Sequence, residues 1–407
     1  MNVMMLWVFC GLLALTEAQE ICYNRDGATV IAVSLIRPNT KPPPGTETPI
    51  KGTIKMIQNY GRPTSMLLQI TGLPPNTPHG FHIHEFGDTV TDGCQSTGGH
   101  YNPFNHTHGS LTDQVRHVGD LGNLYTDEDG RIDDEVEDNV VSLFGPYSVI
   151  GRAFVIHQKI DDLGQGEGAA KAGSLKTGNA GARLGCGILV FTAYDQTLSC
   201  FRYNMQLLLL CASLTVTAAR YEETMWHVVM ATAVSAIMPN TKPPPGTETP
   251  VVGTVWMKQI YGQKTFFAVE MSGLPPNSNH GFHIHEFGDI ITDGCQSTGG
   301  HYNPFHHTHG APTDAIRHIG DLGNLFSDVN GRISKQFMDE KVSLFGPFSV
   351  IGRAFVIHQK RDDLGRGTGP ARKESLITGN AGARLGCGVI CHAACNISPP
   401  GCALYNN

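Results

Sequence analysis

His82-Ile83-His84-Glu85-Phe86-Gly87-Asp88 decides the fold, because it occurs twice. It returns unchanged as His283-Ile284-His285-Glu286-Phe287-Gly288-Asp289, 201 positions later. The same shift carries His100 to His301, His117 to His318, His157 to His358 and Cys186 to Cys387 without a gap. A period this long marks duplicated domains, since solenoid repeats run roughly 20–50 residues. Each copy gathers histidines at spacings that suit metal ligation, so the chain describes one metal site twice.

The pattern around the heptapeptide is that of an all-β domain. Short apolar stretches alternate with turn signals, as in a sandwich or barrel. In the first copy, strands are predicted at about 29–36, 50–58, 65–71, 80–84, 119–126, 131–136, 148–157 and 186–191. The second copy repeats them at the same shift. Eight strands suffice to close a barrel and so remove exposed edges. Asp129-Gly130 and Asn330-Gly331 occupy one hairpin, where both dipeptides favour positive φ. Asp127-Glu128-Asp129-Gly130 lacks the ligand ladder of a calcium loop. Lys41-Pro42-Pro43-Pro44-Gly45, repeated at 242–246, reads as a stiff loop between strands. The stretches 86–116 and 158–184 are long and poor in strand pattern. Long loops in compact domains are usually functional, and these begin or end at the histidines.

On a strand, residues i and i+2 share a face. His82 and His84 therefore reach one ion together, while Phe81 and Ile83 face the core. Downstream come His100, His108, His117-Val118-Gly119-Asp120 and His157. Four imidazoles suit copper; three imidazoles and a carboxylate suit zinc. With one histidine shared, the residues supply both sets. His82, His84, His100 and His157 form the first, and His100, His108, His117 and Asp120 the second.

Composition narrows the class. At 407 residues the chain has room for two or three domains, and the repeat selects two. A formal charge of -7 without a basic run argues against nucleic acid as partner. Met1–Ala18 reads as a secretory signal: an apolar run from Met4 to Leu15, then Thr16-Glu17-Ala18. No run reaches the ~18–20 apolar residues of a membrane span. The expectation is a secreted, extracellular protein in which disulfides are permitted. A second leader-like stretch, Met205 to Leu214 ending near Thr217-Ala218-Ala219, lies inside the chain. It reads either as an apolar inter-domain helix or as the leader of a second secreted unit, retained, cleaved, or produced by joining two genes. The expected organisation is a signal at 1–18, a first domain at 23–196, a linker at 197–225, a second domain at 226–398 and a tail at 399–407.

Three motifs carry a resemblance. They are Gly80 to Asp88, Arg116-His117-Val118-Gly119-Asp120-Leu121-Gly122-Asn123, and Gly178-Asn179-Ala180-Gly181-Ala182-Arg183-Leu184-Gly185-Cys186-Gly187. Each copy resembles Cu/Zn superoxide dismutase over nearly its whole length, about 28–191 and 229–392. The resemblance implies two tandem eight-stranded Greek-key β-barrels, each with one copper and one zinc. It implies copper on His82, His84, His100 and His157, and zinc on His100, His108, His117 and Asp120, with His100 bridging. In the second copy it implies copper on His283, His285, His301 and His358, and zinc on His301, His309, His318 and Asp321. Asp161 and Asp362 match the aspartate that links copper and zinc ligands through hydrogen bonds. Cys94–Cys186 and Cys295–Cys387 match the family disulfide. Arg183 and Arg384 match the arginine beside the copper channel, where a fixed positive charge suits a small anion. The implied reaction takes two superoxide anions and two protons to oxygen and hydrogen peroxide, with His100 and His301 serving as ligand and acid.

Since net charge repels superoxide, attraction must come from a local field. The loop before Arg183 carries Lys171 and Lys176-Thr177; its counterpart carries Lys373-Glu374 and Ile377-Thr378. Stronger steering is therefore expected in the first copy. The alternative reading is a secreted metal-binding or storage protein that uses the barrel with little or no turnover. A copper chaperone would need a delivery motif; Cys391-His392-Ala393-Ala394-Cys395 has the wrong spacing. His79, His106, His227, His280, His306, His307 and His392 are read as surface or structural. Cys22 and Cys200 are candidates to pair, and Cys211, Cys391, Cys395 and Cys402 have no assigned partner. Asn105 and Asn396 head glycosylation sequons. Association between the domains, or between chains, is expected.

Overall fold

Alternation sets the strands. In Thr64–Thr71, Met66, Leu68 and Ile70 point inward and are buried, while Leu67 and Gln69 point out. A computed structural model of the chain describes residues 29–145, 147–195, 230–346 and 348–394. The leader-like segments, Cys22, Cys200, Cys211, Cys395, Cys402 and Asn396 lie outside them. The first copy contains β1 (Thr29–Pro38), β2 (Lys51–Asn59), β3 (Thr64–Thr71), β4 (Pro78–His84), β5 (Asp120–Tyr125), β6 (Ile132–Asp138), β7 (Ala153–His157) and β8 (Arg183–Asp195).

These eight strands hydrogen-bond in the order β5-β4-β7-β8-β1-β2-β3-β6. The two ends of the row, β5 and β6, are joined by a tight turn, so the sheet curls into a nearly closed antiparallel barrel. Its core includes Ile36, Ile54, Met56, Met66, Leu68, Phe81, Ile83, Phe154 and Ile156, with Phe81 stacked on Phe154 at 5.0 Å between ring centres. The strands of the second copy are β9 (Met230–Pro239), β10 (Val252–Ile260), β11 (Thr265–Ser272), β12 (Asn279–His285), β13 (Thr292–Cys295), β14 (Asp321–Phe326), β15 (Ile333–Asp339), β16 (Ala354–His358), β17 (Arg384–Val389) and β18 (Cys391–His392). They form the same row, β14-β12-β16-β17-β9-β10-β11-β15, with β18 added beside β9. The two barrels lie within one compact unit.

Two expectations are corrected. The strand expected from Ser148 begins only at Ala153, because Gly151 takes φ +76° and breaks the extended run. In the hairpin, only Gly130 and Gly331 take positive φ; Asp129 and Asn330 do not.

The strands β4 and β7 are buried along nearly their whole length. Their inner face is core, and their outer face lies under the two long loops. In register, His82 stands opposite Val155 on one side and Asp120 on the other, with a bulge between Gly80 and His82. A second bulge precedes His157, which pairs with Arg183. Bulges re-aim side chains, and both fall at the clustered histidines. The loop 86–116 holds a 3-10 turn at Gln95–Thr97. The loop 158–184 holds another at Gly168–Ala170 and a short helix, Lys171–Thr177.

Candidate metal centre

Four imidazoles, His82, His84, His100 and His157, converge on the outer face of β4 and β7, all buried and with candidate ligand atoms within 4.8 Å of one another. A second group, His100, His108, His117 and Asp120, meets the same criterion and shares His100 with the first. The second barrel gathers His283, His285, His301 and His358, and His301, His309, His318 and Asp321. Every expected ligand is brought to its group in both copies.

The hydrogen bonds fix which nitrogen of each ring is free. The carbonyl of Gly98 can only accept, so His84 donates through Nδ1 at 2.9 Å. His157 donates through Nδ1 to the Gly181 carbonyl at 3.1 Å. Both Nε2 atoms therefore carry lone pairs, and they face each other at 3.3 Å. Two lone pairs at that distance repel unless a cation lies between them. His82 and His108 send Nε2 to the two carboxylate oxygens of Asp161, each at 2.8 Å. This leaves His82 Nδ1, His108 Nδ1 and His100 Nε2 buried without a hydrogen-bond partner. The same three atoms are orphaned on His283, His309 and His301. Unpaired buried nitrogens are costly, and metal coordination satisfies all three. On the other side, Asp120 Oδ1 is approached by Nδ1 of His100 and His108, each at 2.8 Å, and of His117 at 3.0 Å. The His108 contact is close but lacks hydrogen-bond geometry, so its Nδ1 stays available. Three imidazoles and a carboxylate around one point form the donor set that zinc takes.

Burial first, and then its fellow imidazoles, hold His82 well below the ordinary histidine value; for His84 the second cause is the Arg183 charge. Burial, with the His100 charge behind it, takes His157 down to about 3. His100 is lowered by burial, against the pull of Asp120. These rings are neutral at pH 7, the form a metal requires. His108 goes the other way. Burial opposes its charge, but contacts with Asp120 and Asp161 prevail and raise it to about 9. Burial also opposes the charge on Asp120, yet the three facing imidazoles hold its carboxyl well below the usual range.

Residues around the ligands fix their positions. Arg183 donates from Nη1 to the carbonyls of Cys94 and Gln95 and to Thr97 Oγ1, and from Nη2 to the Gly98 carbonyl. Burial lowers its guanidinium to about 10, so it stays charged at pH 7. Cys94 is bonded to Cys186, and Cys295 to Cys387. The arginine and the disulfide thus grip the same loop.

Three supports went unassigned in the sequence. The Asn123 side chain brackets the backbone of Asp161, donating to its carbonyl at 2.9 Å and accepting from its N–H at 2.7 Å. Gly178, at φ +62°, ends the short helix where a Cβ would lie 1.7 Å from Asp161 Oδ1. Arg116 is buried, bonds the carbonyls of His117 and Asp120, and pairs with Asp138. Asn123, Gly178 and Arg116 all stand inside the quoted motifs. The available signal was that a buried charge and a glycine beside a ligand aspartate need a reason. Of the remaining histidines, His79 is buried and bonds the His157 carbonyl through Nδ1 at 2.8 Å, a structural role.

The copper/zinc superoxide dismutase family model matches residues 50–189 and again 251–390. The chain belongs to the Cu/Zn superoxide dismutase family. The Cu-Zn superoxide dismutase of Onchocerca volvulus is 51% identical over 145 residues, covering 35% of this chain and 90% of its own length. That of Saccharomyces cerevisiae is 52% identical over 141 residues, covering 34% and 89%. The extracellular Cu-Zn superoxide dismutase of Brugia pahangi is 51% identical over 144 residues, covering 35% and 71%. This dismutase therefore uses copper and zinc, and each barrel carries histidine groups that fit both ions. Among its described residues, no helix is long and apolar enough to cross a membrane.

Proposed function

We propose that the chain is an extracellular superoxide dismutase with two working centres, one per barrel. His82, His84, His100 and His157 hold copper, and His100, His108, His117 and Asp120 hold zinc. The second barrel uses His283, His285, His301 and His358 for copper, and His301, His309, His318 and Asp321 for zinc. The observation that carries this reading is the set of orphaned or opposed ring nitrogens, above all the facing Nε2 atoms of His84 and His157. Copper, when bound, supplies the one-electron couple that dismutation needs, and zinc supplies fixed charge without redox chemistry.

The chain's own residues do the rest. Arg183 keeps a charge beside His84, anchored by carbonyls of the disulfide-bonded loop, and so gives superoxide a fixed site against the net charge of the molecule. Asp161 ties His82 to His108 through one carboxylate, so that the two ligand groups hold a common geometry. His100 faces both groups. Its Nδ1 is turned toward Asp120 and its Nε2 is free of hydrogen bonds; that Nε2 would serve as ligand and, whenever it is not coordinating, would carry a proton beside the substrate. Oxygen and hydrogen peroxide leave after two superoxide anions and two protons are consumed. Arg384, Asp362 and His301 take these roles in the second barrel.

Two single-site variants of the full chain, His84→Ala and His285→Ala, test this reading together with metal content and secretion into the medium. Each is expected to leave the activity of the other barrel, and the double variant none. A wild-type chain loaded with both metals but without turnover would favour metal storage.

A further inference from the structure

The loop that carries His100, His108 and His117 turns over at Asn105. Asn102 locks the turn from inside: its Nδ2 donates to the His106 carbonyl at 2.8 Å, and its Oδ1 accepts from the His106 N–H at 2.9 Å. The Asn105 N–H closes on the Asn102 carbonyl at 3.4 Å. Asn105 takes φ +53°, a conformation that asparagine tolerates better than most residues. Its side chain enters none of these bonds, and the residue is exposed, as are Phe104, His106 and Thr107.

The second barrel builds the same turn. Asn303 brackets His307 at 2.8 and 3.0 Å, and the tip residue, His306, is exposed at φ +54°. The tip thus accommodates asparagine and histidine alike, both of which tolerate positive φ. Only in the first barrel does it complete an Asn-X-Thr acceptor pattern, Asn105-His106-Thr107; the counterpart is His306-His307-Thr308. Among the described residues the pattern occurs nowhere else.

The backbone of the turn also supports the metal group. The His106 carbonyl accepts from Nε2 of His117 at 3.0 Å, and His106 Nδ1 donates to the Arg116 carbonyl at 3.1 Å. A group attached to the Asn105 side chain leaves both bonds in place, since neither uses an atom of Asn105.

We infer that Asn105 carries an N-linked oligosaccharide and that the matching position of the second barrel carries none. The inference rests on the extracellular reading, because the sugar donor, an oligosaccharide joined to a lipid pyrophosphate, is met in the export pathway. In the transfer, Asn105 Nδ2 forms a bond to the anomeric carbon of the first sugar. The bond from that carbon to the pyrophosphate oxygen breaks, the lipid pyrophosphate leaves with the electron pair, and the amide gives up one proton to a base of the transferase. A group this bulky and hydrophilic needs a surface position in the finished fold, and the exposed tip supplies one. Two near-identical centres are thereby told apart by one sugar on the zinc-side loop of the first.

The test expresses the full chain in animal cells with copper and zinc in the medium. Secreted protein is treated, in heavy-oxygen water, with an amidase that releases N-linked sugars, and is mapped by peptide mass spectrometry against an untreated control. The amidase turns a sugar-bearing asparagine into aspartate, so position 105 should gain the heavy-oxygen label. Asn105→Gln and Thr107→Ala should each abolish it. His306→Asn completes the pattern in the second barrel and should add a second labelled site. A secreted chain whose Asn105 is bare would overturn the inference, as would a His306→Asn chain labelled at position 105 alone. A chain kept inside the cell would instead sink the extracellular reading. The same chain with a proven secretory leader in place of residues 1–18 then tests the site by itself, and a bare Asn105 there overturns the inference.

Discussion

The two barrels agree where the metals would sit and disagree where the substrate would approach. All seven candidate ligands of each barrel, the aspartate behind them, the arginine and the disulfide recur with matching contacts, down to an Nε2–Nε2 distance of 3.3 Å in each. The short helix above the site recurs in length and place but not in its side chains. In the first barrel it reads Lys171-Ala-Gly-Ser-Leu-Lys-Thr177, with Lys176 exposed in the last turn. In the second it reads Arg372-Lys-Glu-Ser-Leu-Ile-Thr378, with Ile377 half exposed and Glu374 accepting from Thr378 Oγ1 at 2.7 Å. The candidate ligands are held by many mutual contacts. The field above the site is a sum of exposed charges, and one can be exchanged without moving a ligand.

The hardest break is at the aspartate. Asp161→Asn removes the carboxylate that holds His82 and His108, and should lower zinc affinity about 10- to 100-fold in the first barrel only. Asp362→Asn should do the same in the second. Competition with a chelator reads both, and loss from the two barrels at once would show that they are coupled.

Next in size is the disulfide. Cys94→Ser opens a loop of 92 residues and frees the segment that Arg183 grips. It should cost the first barrel roughly 2–5 kcal/mol. Two separate transitions in denaturant are expected for this variant, where the wild-type barrels unfold together.

A proton balance sharpens the zinc side. In the demetallated chain, His108 and His309 are raised to about 9 from an ordinary 6.5. Their protonation stabilises the metal-free barrels fully below about pH 6.5, and this is lost as pH rises through about 9. Zinc uptake at pH 7 should therefore release about one proton per barrel, falling through about half a proton near pH 9 to very little above about pH 10. Titration calorimetry in buffers of different ionisation enthalpy measures it.

The smallest effect tests the difference itself. Lys176→Ile should slow the first barrel several-fold at low ionic strength, and Ile377→Lys should speed the second, both differences fading above about 0.15 M salt. Rates are read with the other barrel silenced. Equal salt dependence in all four proteins would remove steering by this position.

Most of the site was legible because its chemistry is local to short motifs: His82 and His84 alternate on one strand, and Asp120 follows His117 by three. The shift of 201 residues made the duplication plain. What escaped depended on contacts between distant segments. Ser148–Arg152 reads as strand because its apolar pattern continues into β7, yet Gly151 bends there to admit Ile351 from the other barrel. Asn123 and Gly178 owe their roles to Asp161, 38 positions from the asparagine. His392 reads only as surface or structural, and the structure makes it structural: burial, followed by the Arg152 charge, takes it to about 3.

The central claim is one shared imidazole per barrel, between copper and zinc. Metal analysis of the purified wild type beside His100→Ala tests it most directly. The account predicts one copper and one zinc in each barrel of the wild type, and weakened binding of both ions in the first barrel of the variant, with the second barrel still loaded. A variant that loses only one kind of ion, or a wild type holding a single kind in each barrel, would contradict it.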